Sequence, residues 1–204
     1  HECSSAASDV YKRQFEISVF PDPAGSFTTA AAMVACTEKT LKDNFQTDLN
    51  KKKIMIYGGK GIVGGISAIM CAQNGADCTI IGYDGIKNVQ KKAEEYKSRF
   101  GVDIKPGDGS SDELNSSFLP EADIIFCAAR AGTQVLSKQQ LSLAKHTLVL
   151  ADVNAVPPAG LEGVGIKDDN QKHDCGGLSI GPLTSGDIKV KTQYKMFEKM
   201  CSTE

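Results

Sequence analysis

Apolar and polar positions along the chain follow two rhythms that take turns, one with a period of two and one with a period of three to four. Residues 15–20 (F-E-I-S-V-F) alternate and predict a strand, closed by the turn P-D-P-A-G over 21–25. Residues 26–42 predict a helix rich in small side chains, where Ala30, Ala31 and Ala32 would let another element approach closely. A short apolar strand is expected over 54–57. A helix follows, marked by Ile66, Ala68, Ile69 and Met70 and ending at Asn74-Gly75. A second strand spans 77–82. Residues 86–100 form an amphipathic helix with Val89, Ala93 and Tyr96 on its apolar side.

Further on, a third strand is expected over 102–105 and a loop over 106–111. Residues 122–129 make a continuously apolar strand, of the kind buried on both faces in a parallel sheet. A helix over 136–144 and a strand over 147–153 complete the series. The stiff loop N-A-V-P-P follows, then a glycine-rich stretch read as loops, and a lysine-rich helix over 188–200. Strands and helices alternating at this spacing predict an α/β chain with a doubly wound parallel sheet.

The densest punctuation falls between the first strand and its helix. Gly59, Gly61 and Gly64 follow the strand in the spacing G-x-G-x-x-G. That arrangement defines a Rossmann-like dinucleotide turn. Gly59 is expected to allow the sharp turn, Gly61 to let backbone approach a pyrophosphate, and Gly64 to let the helix pack on the strand. The helix start then offers free N–H groups and a positive dipole end to an anion. The turn residues Gly58, Gly59, Lys60, Gly61, Ile62, Val63 and Gly64 are therefore candidate cofactor contacts. Tyr83, Asp84 and Lys87, just beyond the second strand, are the candidate ribose contacts. An acid there binds a 2′-hydroxyl and a base favours a 2′-phosphate. Asp84 also reads as a plain D-G turn residue, so the residues alone do not choose between NADP and NAD. Ligands in such sheets lie at the carboxyl ends of strands, which adds Ala128, Ala129 and Arg130 after one strand and Asp152 and Asn154 after the next.

A net charge of −2 argues against general nucleic-acid binding, and no apolar run is long enough to span a bilayer. Seven cysteines without a C-x-x-C pair read as reduced, mostly buried thiols of a cytoplasmic protein. Three histidines supply no metal-site pattern, and no metal is expected. Residues 1–14 contain D-V-Y-K-R-Q, which matches the translation of a library-preparation adapter. They are expected to be a non-native scar.

Four stretches together carry a family resemblance. They are D-P-A-G-S-F-T-T-A-A-A from Asp22, G-G-K-G-I-V-G from Gly58, L-A-D-V-N-A-V-P-P from Leu150, and the segment from Gly181 to Phe197 containing Lys189-Val190-Lys191. In these the chain resembles the NADP-dependent methylenetetrahydromethanopterin / methylenetetrahydrofolate dehydrogenases of one-carbon metabolism. The resemblance implies residues 15–50 as the end of an otherwise absent amino-terminal pterin-binding α/β domain with its linking helix. Residues 51–187 would be the NAD(P)-binding domain, and 188–204 a helix returning to the interface. It implies an oxidoreductase that passes a hydride from a methylene-tetrahydropterin to nicotinamide, leaving a methenyl cation and needing no strong base. NADP is the implied cofactor and NAD the alternative. The full-length protein would be a homo-oligomer.

By the same resemblance, Asp22 and Lys189 would be catalytic, and Gly25, Ser26, Thr28, Thr29 and Asn154 would bind substrate. Each has a plain reading beside that one: Asp22 closing a turn, Thr28 capping a helix, Lys189 on a solvated face. The family has a basic residue where Tyr83 and Asp84 stand here. Two other classes remain open: a shikimate- or amino-acid-dehydrogenase-like enzyme, and a non-catalytic NADP-binding module.

Overall fold

The computed structural model of the chain describes residues 20–202. The strand expected over 15–20 lies almost wholly outside them, as does the segment 1–14. Seven strands form one sheet: β1 (Lys53–Tyr57), β2 (Asp77–Gly82), β3 (Lys105–Asp108), β4 (Ile124–Cys127), β5 (Val149–Asp152), β6 (Asp169–Lys172) and β7 (Leu178–Ile180). Their spatial order is β3-β2-β1-β4-β5-β7-β6, all parallel except the β6–β7 pair. The order reverses between β1 and β4, which is where such a sheet opens a crevice for a ligand. The helices are α1 (Ser26–Phe45), α2 (Ile62–Gln73), α3 (Ile86–Phe100), α4 (Asp112–Ser117), α5 (Lys138–Leu141) and α6 (Pro182–Ser202).

Successive strand residues point to opposite faces, and both faces are buried. Ile54, Ile56, Ile80, Ile124, Phe126, Val149 and Ala151 join Met33, Val34 and Leu41 of α1, Ala68 and Cys71 of α2 and Val89 of α3 in one core. Met55, Tyr57, Ile81, Ile125, Cys127 and Leu150 face a second core, closed by Leu119, Leu136, Leu141, Leu161 and Val164. The small residues of α1 do admit close neighbours: the helix packs against α2 and α6.

Several expectations are corrected. The third strand runs over Lys105–Asp108, three residues later than expected. Val102 and Ile104 are buried anchors ahead of it, and Pro106 is tolerated because β3 is an edge. The helix expected over 136–144 is a single turn. Ser137 and Gln140 form its capping box, and the chain continues in tighter turns such as Ala144 N–H to the Leu141 carbonyl. The glycine-rich stretch contains two strands, because β6 and β7 pair as a short hairpin on the end of the sheet. The last helix begins at Pro182, so the expected boundary between residues 187 and 188 falls inside it. Among the described residues, no helix is long and apolar enough to cross a membrane.

Candidate functional site

The glycine turn lies at the carboxyl end of β1, beside the end of β4. Its positive φ belongs to Gly58 (+78°), not to Gly59. A Cβ on Gly58 would sit 2.5 Å from the Ala128 carbonyl oxygen, so the turn and the Ala128–Arg130 loop are in backbone contact. Gly59 is required for a different reason than expected: its Cβ would lie 2.5 Å from Ile80 Cβ on β2. Gly64 does bring α2 against the turn, since its Cβ would meet the Gly58 carbonyl oxygen at 2.6 Å. Gly61 caps α2 with extended backbone and no side-chain acceptor, and Ile62 beside it is half exposed. The first-turn N–H groups of α2 are thus not covered by a capping side chain. A cradle of bare backbone that any Cβ would fill, opening onto a helix N-terminus, fits a dinucleotide pyrophosphate.

Tyr96 of α3 is a residue that sequence reasoning placed only in the core. Its hydroxyl passes over Gly65 and donates to the Gly59 carbonyl at 3.2 Å. Burial pushes its pKa up to about 12. The signal available was the bare Gly65, whose Cβ would collide with the Tyr96 hydroxyl.

Beyond β2, Tyr83 stands 86% exposed and Lys87 is exposed. Asp84 is paired with the Lys60 ammonium and also accepts from Asn88 Nδ2 at 3.2 Å. The Lys60 contact, set against a small burial cost, holds the Asp84 carboxyl below the usual carboxylate range.

Asp152 and Asn154, the expected contacts after β5, hold the backbone around them. Asp152 is 1% exposed; its oxygens accept from Asn154 N (2.8 Å) and Leu161 N (2.9 Å). Burial raises its pKa despite these bonds. The Asn154 amide accepts from Gly132 N (3.2 Å) and Val156 N (3.0 Å) and donates to the Pro158 carbonyl (2.8 Å). Both residues therefore fix the loops after β4 and β5, with their polar atoms engaged by backbone.

The second cluster gathers at the start of α1. The Asp22 carbonyl accepts from Gly25 N, so Asp22 does close the turn. Its carboxylate also accepts from Phe27 N (2.8 Å), Thr28 N (3.4 Å) and the Thr28 hydroxyl (2.5 Å). Asp22, rather than Thr28, is thus the acceptor for the first turn of α1. Thr29 donates to the Gly25 carbonyl at 2.7 Å, and the Ser26 N–H to the Pro23 carbonyl. From α6, Gln193 Nε2 donates to Asp22 Oδ2 (3.0 Å) and approaches the Thr28 hydroxyl (3.2 Å). Lys189, one helical turn earlier, lies over Gly25, where a Cβ would be 2.2 Å from its Nζ. Gly25 is left-handed (φ +69°) and bare where the ammonium packs. Asp22, Gly25, Thr28 and Lys189 are brought together as expected. Gln193 was missed, although its place four residues after Lys189 puts it on the same helix face.

A third cluster occupies the β6–β7 turn. His173 Nδ1 lies 3.2 Å from Cys175 Sγ and its Nε2 3.0 Å from the Glu162 carbonyl. Burial works against ionisation of Cys175, but His173 and the Gly177 N–H outweigh it and hold the thiol below its ordinary range. Iodoacetamide at neutral pH is expected to label Cys175 well before the buried Cys36, Cys71, Cys78 and Cys127, and His173→Asn to slow that labelling severalfold, as read by peptide mapping. Among the described residues, no group of three or more His, Cys, Asp or Glu is arranged to hold a metal.

No family model matches the sequence. The chain is 43% identical over 187 residues to the NAD(P)-dependent methylenetetrahydromethanopterin dehydrogenase of Methylorubrum extorquens, covering 91% of this chain and 63% of that protein. It is 28% identical over 186 residues to the bifunctional protein MdtA of the same organism, covering 91% and 62%. The chain thus spans less than two thirds of either relative. In fold it is similar to an L-alanine dehydrogenase (TM-score 0.60, 16% identity, 88% of this chain and 55% of that one). It is likewise similar to the quinate dehydrogenase of Corynebacterium glutamicum solved with NAD (TM-score 0.59, 14% identity, 83% and 56%). Those likenesses establish the Rossmann-like architecture. Across the 187 aligned residues the chain is similar to the NAD(P)-dependent methylenetetrahydromethanopterin dehydrogenase of Methylorubrum extorquens.

Proposed function

We propose that the protein carrying this chain is a cytoplasmic, homo-oligomeric dehydrogenase that oxidises a methylene-tetrahydropterin to its methenyl form with NADP or NAD. The observation that carries the reading is the 43% identity over 91% of the chain, far beyond a glycine turn alone. In this reading residues 51–187 form the nucleotide domain, 15–50 belong to the substrate side, and the carboxyl-terminal segment 188–204 returns to the interface between them. The pyrophosphate lies against Gly58–Gly64, with Ala128, Ala129 and Arg130 along the second wall.

A bound nicotinamide supplies a two-electron hydride acceptor. The chain's own residues do the rest. The turn and the loops fixed by Asp152 and Asn154 orient the cofactor. Asp22, held by Thr28 and Gln193, places negative charge where the donor carbon becomes cationic, and Lys189 with Thr28 and Thr29 orients the pterin. No proton needs to leave the reacting carbon, which accords with a cluster that contains no histidine.

The test is titration with NADP and NAD, followed by assay of reduced nicotinamide with methylene-tetrahydromethanopterin and methylene-tetrahydrofolate. Both are run on the chain alone and on the protein carrying it. Turnover with either pterin is expected from the whole protein. Cofactor binding without turnover on either pterin would favour another Rossmann dehydrogenase or a binding module.

A further inference from the structure

Asp84 and Lys60 are separated by 24 residues, yet they form one ion pair across the open end of the glycine turn. Lys60 is the residue between Gly59 and Gly61, so its backbone is part of the phosphate cradle. Its stem crosses Gly82, the last residue of β2, where a Cβ would lie 3.0 Å from Lys60 Cδ and 2.8 Å from Val89 Cγ2. The bare Gly82 is what admits the lysine. On the far side, Asn88 Nδ2 donates to the Asp84 carbonyl (3.0 Å) and to its carboxylate (3.2 Å), fixing the acid from α3. The two charged side chains are 30% and 35% exposed. They are reachable from solvent yet held in place.

The position matters because a dinucleotide on this turn lays its adenosine ribose at the tip of the second strand. An acid there receives a 2′-hydroxyl, and a cation there receives a 2′-phosphate. Here both groups are present and already satisfy each other. We propose that the Lys60–Asp84 pair is a charge latch that sets the balance between NAD and NADP. This rests on reading the turn as a dinucleotide site. A 2′-hydroxyl donates to Asp84 with the pair closed. A 2′-phosphate draws the Lys60 ammonium to itself and must tolerate the Asp84 carboxylate nearby, so the acid penalises NADP and the lysine penalises neither cofactor. Tyr83 projects outward beside the pair.

The test is calorimetric titration of the 204-residue chain and its variants with NAD and with NADP, at low and moderate salt. Asp84→Asn is isosteric. It is expected to strengthen NADP about tenfold and weaken NAD about tenfold, by removing a repelling charge and a charged acceptor. Lys60→Gln is expected to weaken NADP about tenfold with little effect on NAD. NADP affinity should fall more steeply with salt than NAD affinity in the parent chain, and the excess slope should vanish in Lys60→Gln. A NADP-to-NAD affinity ratio in Asp84→Asn within about twofold of the parent, with both cofactors still bound and the melting temperature unchanged, would overturn the latch and leave the cradle intact. Absence of binding of either cofactor by a folded parent chain would overturn the cradle, and the latch with it.

Discussion

Replacing Gly64 by alanine is expected to weaken dinucleotide binding about ten- to a hundredfold while leaving the sheet folded. The added Cβ would lie 2.6 Å from the Gly58 carbonyl oxygen, 2.9 Å from Gly59 Cα and 3.0 Å from the Gly58 carbonyl carbon. All three are backbone atoms, so no side chain can rotate away. Either α2 backs off from the turn or the turn opens, at an overpacking cost of about 1–3 kcal/mol. Both responses move the first-turn N–H groups relative to Gly58–Gly61, which is the geometry an anion reads. Gly61→Ala is the control. Its nearest neighbour, the Gly58 carbonyl oxygen, is 3.2 Å away, and its φ of −71° suits any residue. That variant should melt like the parent. If it still loses cofactor, Gly61 is the point of closest ligand approach. Calorimetry beside a melting curve decides both cases, and parental affinity in Gly64→Ala would show that the helix–turn contact does not shape the cradle.

Asp22→Ala is expected to lower turnover of the proposed reaction about a hundredfold and to cost about 1 kcal/mol of stability. The stability loss follows from the carboxylate's bonds to Phe27 N, Thr28 and Gln193, which tie α6 to the start of α1. Partial burial works to raise the Asp22 pKa, but the Thr28 hydroxyl, the Gln193 amide and the two backbone N–H groups outweigh it and hold the carboxyl below the usual range. A depressed native pKa contributes stability above the unfolded value and loses it as pH falls through the native one. The α1–α6 contact should therefore weaken only below about pH 4. Asp22→Asn separates the two roles, because it keeps the shape and one acceptor oxygen. Parental stability with strongly reduced kcat would assign the negative charge to chemistry. Parental stability and parental kcat together would leave Asp22 as an anchor only.

How much of this was legible in the sequence depended on where the ordering forces lie. β2 and α3 match their expected limits because the signals were local: an apolar run in one, and in the other an amphipathic period closed by the left-handed Gly101. β6 reads D-N-Q-K and carries no apolar signal, since it is a strand only by pairing with β7. Its existence is a tertiary fact. α6 opens on Pro182, a residue suited to the first turn of a helix, six residues before the expected start at 188. At the site, the glycine spacing was readable, but the division of labour among the glycines was not. Which one needs positive φ and which one meets Ile80 depends on the neighbouring strand. Asp84 was visible as a candidate. Its bond to Lys60 was not, because it joins a turn to a strand tip that only the folded sheet brings together. Asp152 and Asn154 were visible as candidates by position, but their bonds to the surrounding backbone were not, because those partners are set by how the loops fold.

The two outer strands have one more consequence. β3 presents Pro106, which has no N–H to offer, and β6 presents polar, mostly exposed side chains, charged at Asp169 and Lys172, with the left-handed Asn170 breaking its register against β7. Neither rim is a good template for the strand of a neighbouring molecule. Among the described residues, association of copies would therefore run through side-chain surfaces of helices and loops, whose composition a few substitutions can retune, rather than through continuation of this sheet into the next.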